Sequence, residues 1–325
     1  MSIYCISIYD GKKSKSFYIT DYKSLEDLMS ELFKTLLTRA YSQRTVFIQN
    51  SSEFDLIFLL KHIVNLEGVS VDPIIKDGKF INLKIKYGPK NTYYLNFKDS
   101  FLLLPVSLSK LAKQFQVETL KSIFPHKYVS KDTLNYVGSL PSLIHFTNTS
   151  EEDYQTYSQK FVNNNWNLKS EAIKYCEIDC IALYQVIETF SKFIFDQFKV
   201  NVSSVSTLPS LAFKIFRTNL LDKYVTIPVL FGKVYNDISQ AYYGGHVDMY
   251  IPTNPEGELV YQYDVNSLYP YSMKTYKYPT SILAYFKGNI EKMAEYNKMF
   301  KSSLAILKVR VVAPENIEHP ILPYK

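Results

Sequence analysis

The stretch YQYDVNSLYPYSM, residues 261–273, sets one carboxylate, Asp264, at the end of an apolar and aromatic alternation and follows it with Ser267, Tyr269 and Pro270. An acid at a strand end can present its oxygens to a hard divalent cation, and magnesium takes few protein ligands alongside phosphate oxygens. The next backbone carbonyl, at Val265, can join that shell. Ser267 and the amides around it can bond a triphosphate, while Tyr269 can lie under a sugar ring and exclude a 2′-hydroxyl by bulk. Pro270 can start a helix without losing a needed N–H. The same string also fits a plainer reading: a strand, an Asn-Ser turn, and a tyrosine packed in a core.

Elements able to position such residues run along the whole chain. IYCISIYDG (3–11) alternates with period two and is followed by a Lys-rich turn and SFYITDY, which predicts a hairpin with Asp10 in its turn. In residues 24–40, Ser24 stands three positions before Asp27 and Leu and Phe recur at helical spacing, so an amphipathic helix is expected. TVFIQN reads as a strand, DLIFLLKHIVNL as a helix, FINLKIKYG and YYLNFKDSFLLLP as strands, and SLSKLAKQF as a helix. Residues 124–165 show little periodicity and are expected to be irregular; a long helix from Ser170 to about Lys199 closes this half. Strands with helices packed around them make an α/β layer domain. The Ser- and Val-rich break VNVSSVSTLPSL sets a boundary after residue 200, giving domains 1–200 and 201–325. The second is expected to hold a helix at about 210–222 and strands at 258–265, 281–287 and 303–313.

Composition bounds the class. A hydrophobic content of 46% with 21% charged residues is that of a folded chain and not of a disordered tail. The net charge of +6 suits a polyanionic partner, although the Lys, Asn, Ile and Phe excess also follows from an AT-rich gene. Cys5, Cys176 and Cys180 offer no even disulfide framework and no zinc ligand set, so a reducing compartment fits. Apolar runs such as LIFLL and FLLLPVSL are too short to cross a bilayer, and no membrane span is expected. The first residues lack the features of a secretory or organellar leader, so a protein working in an organelle would be encoded there.

DVNSLYP, Asp264 to Pro270, resembles the DxxSLYP motif that carries the first metal-binding aspartate in the palm of family B DNA polymerases. The resemblance implies that Asp264 is a catalytic metal ligand and that Val265, Ser267, Leu268 and Tyr269 bind the incoming nucleotide. Upstream, Tyr242, Gly244 and Gly245 in AYYGGHV match the YxGG motif that lies between exonuclease and polymerase domains and contacts template DNA. Two glycines let backbone approach a phosphate and the tyrosine offers a stacking face; a tight turn is the alternative.

The first half holds further matches in the family's order. Asn50, Phe54 and Asp55 in QNSSEFD resemble the second exonuclease motif, in which the aspartate binds metal and the other two hold a single-stranded 3′ end. Tyr175 and Asp179 in KYCEID resemble the third, YxxxD. At i and i+4 they share one helix face, where Asp179 can hold a metal and Tyr175 can orient the attacking water. Ser107, Leu108 and Leu111 in SLSKL match a single-strand-binding motif, and Lys121 to Phe124 loosely resembles a lysine motif of the protein-primed branch. The implied fold is α/β: an RNase H-like 3′-5′ exonuclease domain followed by the beginning of a polymerase palm. The implied cofactor is Mg2+ in two-metal sites, and the implied partners are primer and template DNA, deoxynucleoside triphosphates and a terminal protein. KSIFPHKYVSKDTLNYVG and APENIEHPILPY share the texture of polymerases from mitochondrial linear plasmids, which implies a mitochondrial location.

Parts of the family pattern are missing. No Asp is followed by Glu or Asp two positions on, so neither the first exonuclease motif nor a second palm acid is found, and no lysine-bearing finger motif follows Asp264. IYCISIYDG is therefore expected to be the second strand of its sheet, with Asp10 a poor substitute for the missing acids. The chain stops at HPILPYK, directly after an expected strand. The expectation is an incomplete or degenerate polymerase. The alternatives are a non-catalytic single-stranded nucleic-acid-binding remnant and a decayed product whose bare sheet edge invites aggregation.

Overall fold

The computed structural model describes residues 3–52, 55–117, 123–147, 149–245, 247, 249–289, 292 and 304–317. The chain forms two compact units, Met1–Leu221 and Asp222–Lys325.

The first unit is mixed α/β. β1 (Cys5–Tyr9) and β2 (Ser14–Tyr18) make the expected antiparallel hairpin, with Ser7 opposite Ser16. The Asp10 carboxylate accepts the backbone N–H groups of Lys12 (2.9 Å) and Lys13 (2.8 Å), so it is occupied in closing the turn. α1 (Leu25–Leu36) starts where expected because Ser24 accepts the Asp27 N–H at 3.1 Å and supplies the N-cap. Leu28, Met29, Leu32, Phe33 and Leu36 follow at three- and four-residue spacing and form its buried face.

β3 (Thr45–Ile48), α2 (Asp55–Ile63), β4 (Ser70–Lys76), β5 (Lys79–Tyr87) and β6 (Tyr93–Asp99) come next. The sheet order is β3-β6-β5-β4, with β3 parallel to β6 and the other pairs antiparallel. Sequence reasoning placed no strand at 70–76, since Pro73 breaks the run. It is tolerated because β4 lies at the edge of the sheet, where a missing donor disrupts least. The hairpin was expected to belong to the main sheet, yet it forms a two-stranded sheet of its own. What joins them is packing: Phe17 of β2 lies in one apolar cluster with Phe33 of α1, Leu56 and Ile63 of α2, Leu83 and Ile85 of β5, and Leu95 and Phe97 of β6.

α3 (Leu108–Gln114) follows, then the segment expected to be irregular. It contains β7 (Val137–Gly138), α4 (Glu151–Ser158) and β8 (Trp166–Asn167). α4 is nucleated by Ser150, which accepts the Asp153 N–H at 3.1 Å, and by acidic residues in its first turn. Aromatic packing holds this segment. Trp166, fully buried, donates to the Tyr157 hydroxyl at 3.1 Å, and that hydroxyl donates to Glu171 at 2.8 Å. α5 (Leu168–Phe198) runs from this aromatic cluster past β1 to a third cluster of Leu103, Phe190, Ile194, Val200, Val202 and Leu211. α6 (Leu208–Ile215) buries Leu211 in that cluster, which is why the first unit extends to Leu221 and not to the expected boundary at 200.

The second unit holds α7 (Gly232–Gln240) and α8 (Leu268–Thr275). The strands expected at 258–265, 281–287 and 303–313 are not formed among the described residues. Leu259, Val260, Tyr261 and Tyr263 are all exposed, and so are Leu283, Tyr285, Val309 and Val311. A strand exists through its pairing, and the alternation in these runs finds no partner edge among the described residues. No helix among them is long and apolar enough to cross a membrane.

Candidate functional site

Two clusters of functional candidates lie in the first unit. On α5, Tyr175 and Asp179 stand one helical turn apart on one face, close enough for the Asp179 charge to act on the phenol. Burial first, and then the Asp179 charge, push the phenol up, so it stays protonated beside the carboxylate. The Tyr175 ring packs 5.4 Å from Phe124 and 5.2 Å from His126, which sit 5.2 Å apart. Lys121 lies outside the described residues, so the near end of that expected motif is represented by Phe124.

The second cluster lies where β3 and β6 end side by side, Ile48 opposite Asp99. Asn50 follows β3 in the left-handed region, φ 57°, a conformation that asparagine accepts more readily than most residues. Its side chain is exposed. The backbone around it is held from below. Asp99, fully buried, accepts the Ser52 N–H through Oδ2 and the Phe101 N–H through Oδ1, each at 2.8 Å. The Ser100 hydroxyl lies 2.6 Å from Gln49 Oε1 and 3.2 Å from the Ile48 carbonyl oxygen. Asp55 opens α2, with the Leu56 N–H bonded to the Ser51 carbonyl at 3.2 Å; Phe54 and the Asp55 side chain lie outside the described residues.

Ser107 and Leu108 do not enter this network. Ser107 precedes α3 with an exposed side chain whose hydroxyl is 3.4 Å from that of Ser109, and Leu108 is the first residue of the helix. The Gln49 amide reaches as far as the Val106 carbonyl, at 3.1 Å. Asp99 and Ser100 hold the loop instead, and sequence reasoning passed over them. The signal was there: an Asp-Ser pair that cuts into the apolar run YYLNFKDSFLLLP marks a strand end.

In the second unit, Asp264 and Val265 precede α8, and the Leu268 N–H closes a turn onto the Val265 carbonyl at 3.2 Å. Ser267 takes the N-cap position in the left-handed region, φ 55°, without a side-chain cap bond. Pro270 falls in the first turn of α8, where its missing N–H is an orphan in any case. Tyr269 is 78% exposed, so the core-tyrosine alternative is not the one adopted. Tyr242 is exposed as well, and a Cβ on Gly244 or Gly245 would meet nothing within 4 Å. Neither glycine has a positive φ, so no turn of this backbone demands them.

Holding two cations about 4 Å apart requires several converging carboxylates. Among the described residues, no group of three or more His, Cys, Asp or Glu side chains is placed to hold a metal. The described side chains therefore do not by themselves complete the expected two-metal arrangement.

Comparison with known proteins adds the family. A family model described as DNA polymerase type B, organellar and viral, matches residues 36–325. A probable DNA polymerase of Neurospora intermedia is 38% identical over 98% of this chain and 33% of its own length. One of Ascobolus immersus is 34% identical over 98% of this chain and 26% of its own. The chain thus spans about a third or less of these relatives. Among solved structures, phi29 DNA polymerase complexed with single-stranded DNA aligns at 18% identity and a TM-score of 0.40, covering 74% of this chain and 39% of that one. On the extent of the family match, this chain belongs to the organellar and viral family of type B DNA polymerases.

Proposed function

We propose that the first unit is the 3′-5′ exonuclease part, and the second the template- and nucleotide-binding part, of a protein-primed polymerase that replicates a linear mitochondrial DNA element. The observation that carries the nuclease reading is the half-buried Tyr175 phenol one turn from the Asp179 carboxylate on α5. A phenol kept protonated has one O–H to donate, which can orient a water or a phosphate oxygen beside the carboxylate. Asn50 and Phe54, with Ser107 and Leu108, are the proposed contacts to a single-stranded 3′ end. Mg2+ is the proposed cation, with Asp55 and Asp179 its ligands in the first unit and Asp264 in the second. Val265, Ser267, Leu268 and Tyr269 are proposed to bind the deoxynucleoside triphosphate, and Tyr242, Gly244 and Gly245 the template. A terminal protein is the proposed primer.

The test is shortening of a 5′-labelled single-stranded oligonucleotide in Mg2+. Stepwise shortening is expected, with Asp179→Ala and Tyr175→Phe each lowering the rate by about 10²-fold or more while binding persists. The second reading is a strand-binding role without catalysis, and the same assay distinguishes it. If the wild-type chain binds the strand in a salt-dependent way and never shortens it, the non-catalytic single-strand-binding role is the correct one.

A further inference from the structure

The three cysteines, far apart in sequence, meet between β1 and α5. The Cys180 thiol donates to the Ser7 carbonyl at 3.2 Å, and Cys176 lies near enough to both Cys5 and Cys180 for their thiols to interact. Further along the same seam, the rings of Tyr9 and Tyr184 meet edge to face at 5.2 Å. The pairing is a register. Cys5, Ser7 and Tyr9 are two residues apart on a strand, and Cys176, Cys180 and Tyr184 are four apart on a helix. Two strand residues advance about 6.6 Å and four helical residues about 6 Å, so strand and helix keep step over these three positions.

We propose that Cys5 and Cys176 form an oxidant-induced disulfide that staples β1 to α5, with Cys180 left as a thiol. Geometry selects the pair. Residues at i and i+4 of a helix hold their Cβ atoms about 5–6 Å apart, whereas a disulfide needs about 3.5–4.5 Å, so Cys176 and Cys180 cannot join while α5 is intact. Cys180 is also matched in register to Ser7, one step along the strand from Cys5. The thiols are free and half-buried, within reach of a small oxidant such as hydrogen peroxide. Peroxide oxidises one thiol to a sulfenic acid and is itself reduced to water. The second thiol then displaces a second water as the S–S bond forms, so the two thiols lose two protons and two electrons in all. Cys176 lies next to Tyr175 and one turn from Asp179, so the staple fixes that stretch of α5 against the hairpin.

The full chain, treated with hydrogen peroxide under native conditions, alkylated and digested, tests this by mass spectrometry. The expected product is a cross-linked pair of peptides carrying Cys5 and Cys176, two hydrogens lighter than the separate peptides and released by dithiothreitol. Cys180→Ser is expected to keep the link, and Cys176→Ser to lose it. A Cys176–Cys180 link, or all three cysteines still fully alkylated after oxidation, would overturn the proposal. Both outcomes are read on the unaltered chain and do not depend on any variant folding.

Discussion

Replacing Asp99 by alanine removes the anchor beneath the Asn50 loop, and the cost can be worked from its two bonds. Both carboxylate oxygens accept backbone N–H groups at 2.8 Å, from Ser52 and Phe101. Ser52 is buried, so its N–H finds no water when the acceptor goes, a loss of about 1–3 kcal/mol. Phe101 is half-buried and recovers part of its bond from solvent, at about 1 kcal/mol or less. The expected total is about 3 kcal/mol of first-unit stability, a large fraction of what a domain has. Asp99→Asn keeps one carbonyl oxygen and turns an NH2 toward the second donor, so it recovers about 1 kcal/mol at most. Urea unfolding followed by the fluorescence of the single tryptophan, Trp166, reads the loss, and hydrogen exchange at the Ser52 amide reads its location. A change under about 0.5 kcal/mol, the range of ordinary surface substitutions, with Ser52 protection unaltered would refute the claim that Asp99 holds this loop.

Other consequences follow from burial and charge. Lys98 is buried with its ammonium bonded to the Ser203 and Val205 carbonyls at 2.7 and 2.8 Å, and burial, reinforced by Lys214, lowers its pKa from 10.5 to about 8. The unfolded chain then holds the extra proton between pH 8 and 10.5, so the Lys98 contribution to stability rises across that window. The stability of wild type relative to Lys98→Met should grow by an amount on the order of 3 kcal/mol between those limits, and a flat difference in pH-dependent urea unfolding would contradict it. Trp166→Ala should cost about 3–5 kcal/mol, since it opens a cavity and leaves the Tyr157 hydroxyl without its donor; a thermal shift within error of wild type would show that the aromatic cluster does not hold residues 124–165.

Much of the first unit was legible because local signals and tertiary packing agree there. Ser24 announces α1 through a cap, period-two alternation announces the hairpin and β5, and Tyr175 and Asp179 share a helix face by spacing alone. Three features were not legible. Pro73 masks β4, since sequence cannot reveal that a strand lies at an edge. The segment 124–165 has no periodicity because it is held by aromatic contacts such as Trp166 with Tyr157, which join distant positions. The anchoring by Asp99 and Ser100 depends on β3 and β6 ending side by side, a pairing of residues about fifty apart in sequence. In the second unit the alternating runs looked like strands because the pattern of a strand is local, whereas its pairing is not.

Asn50 and the Tyr175–Asp179 turn are proposed to serve one single-stranded 3′ end. Photo-cross-linking with an oligonucleotide carrying 5-iodo-deoxyuridine at its 3′-terminal position, followed by peptide mapping, tests it most directly. Adducts are expected in both segments, around residues 49–54 and 175–179, abolished by an excess of unlabelled strand. Adducts confined to one segment, or spread along the surface lysines without preference for the 3′ end, would contradict it.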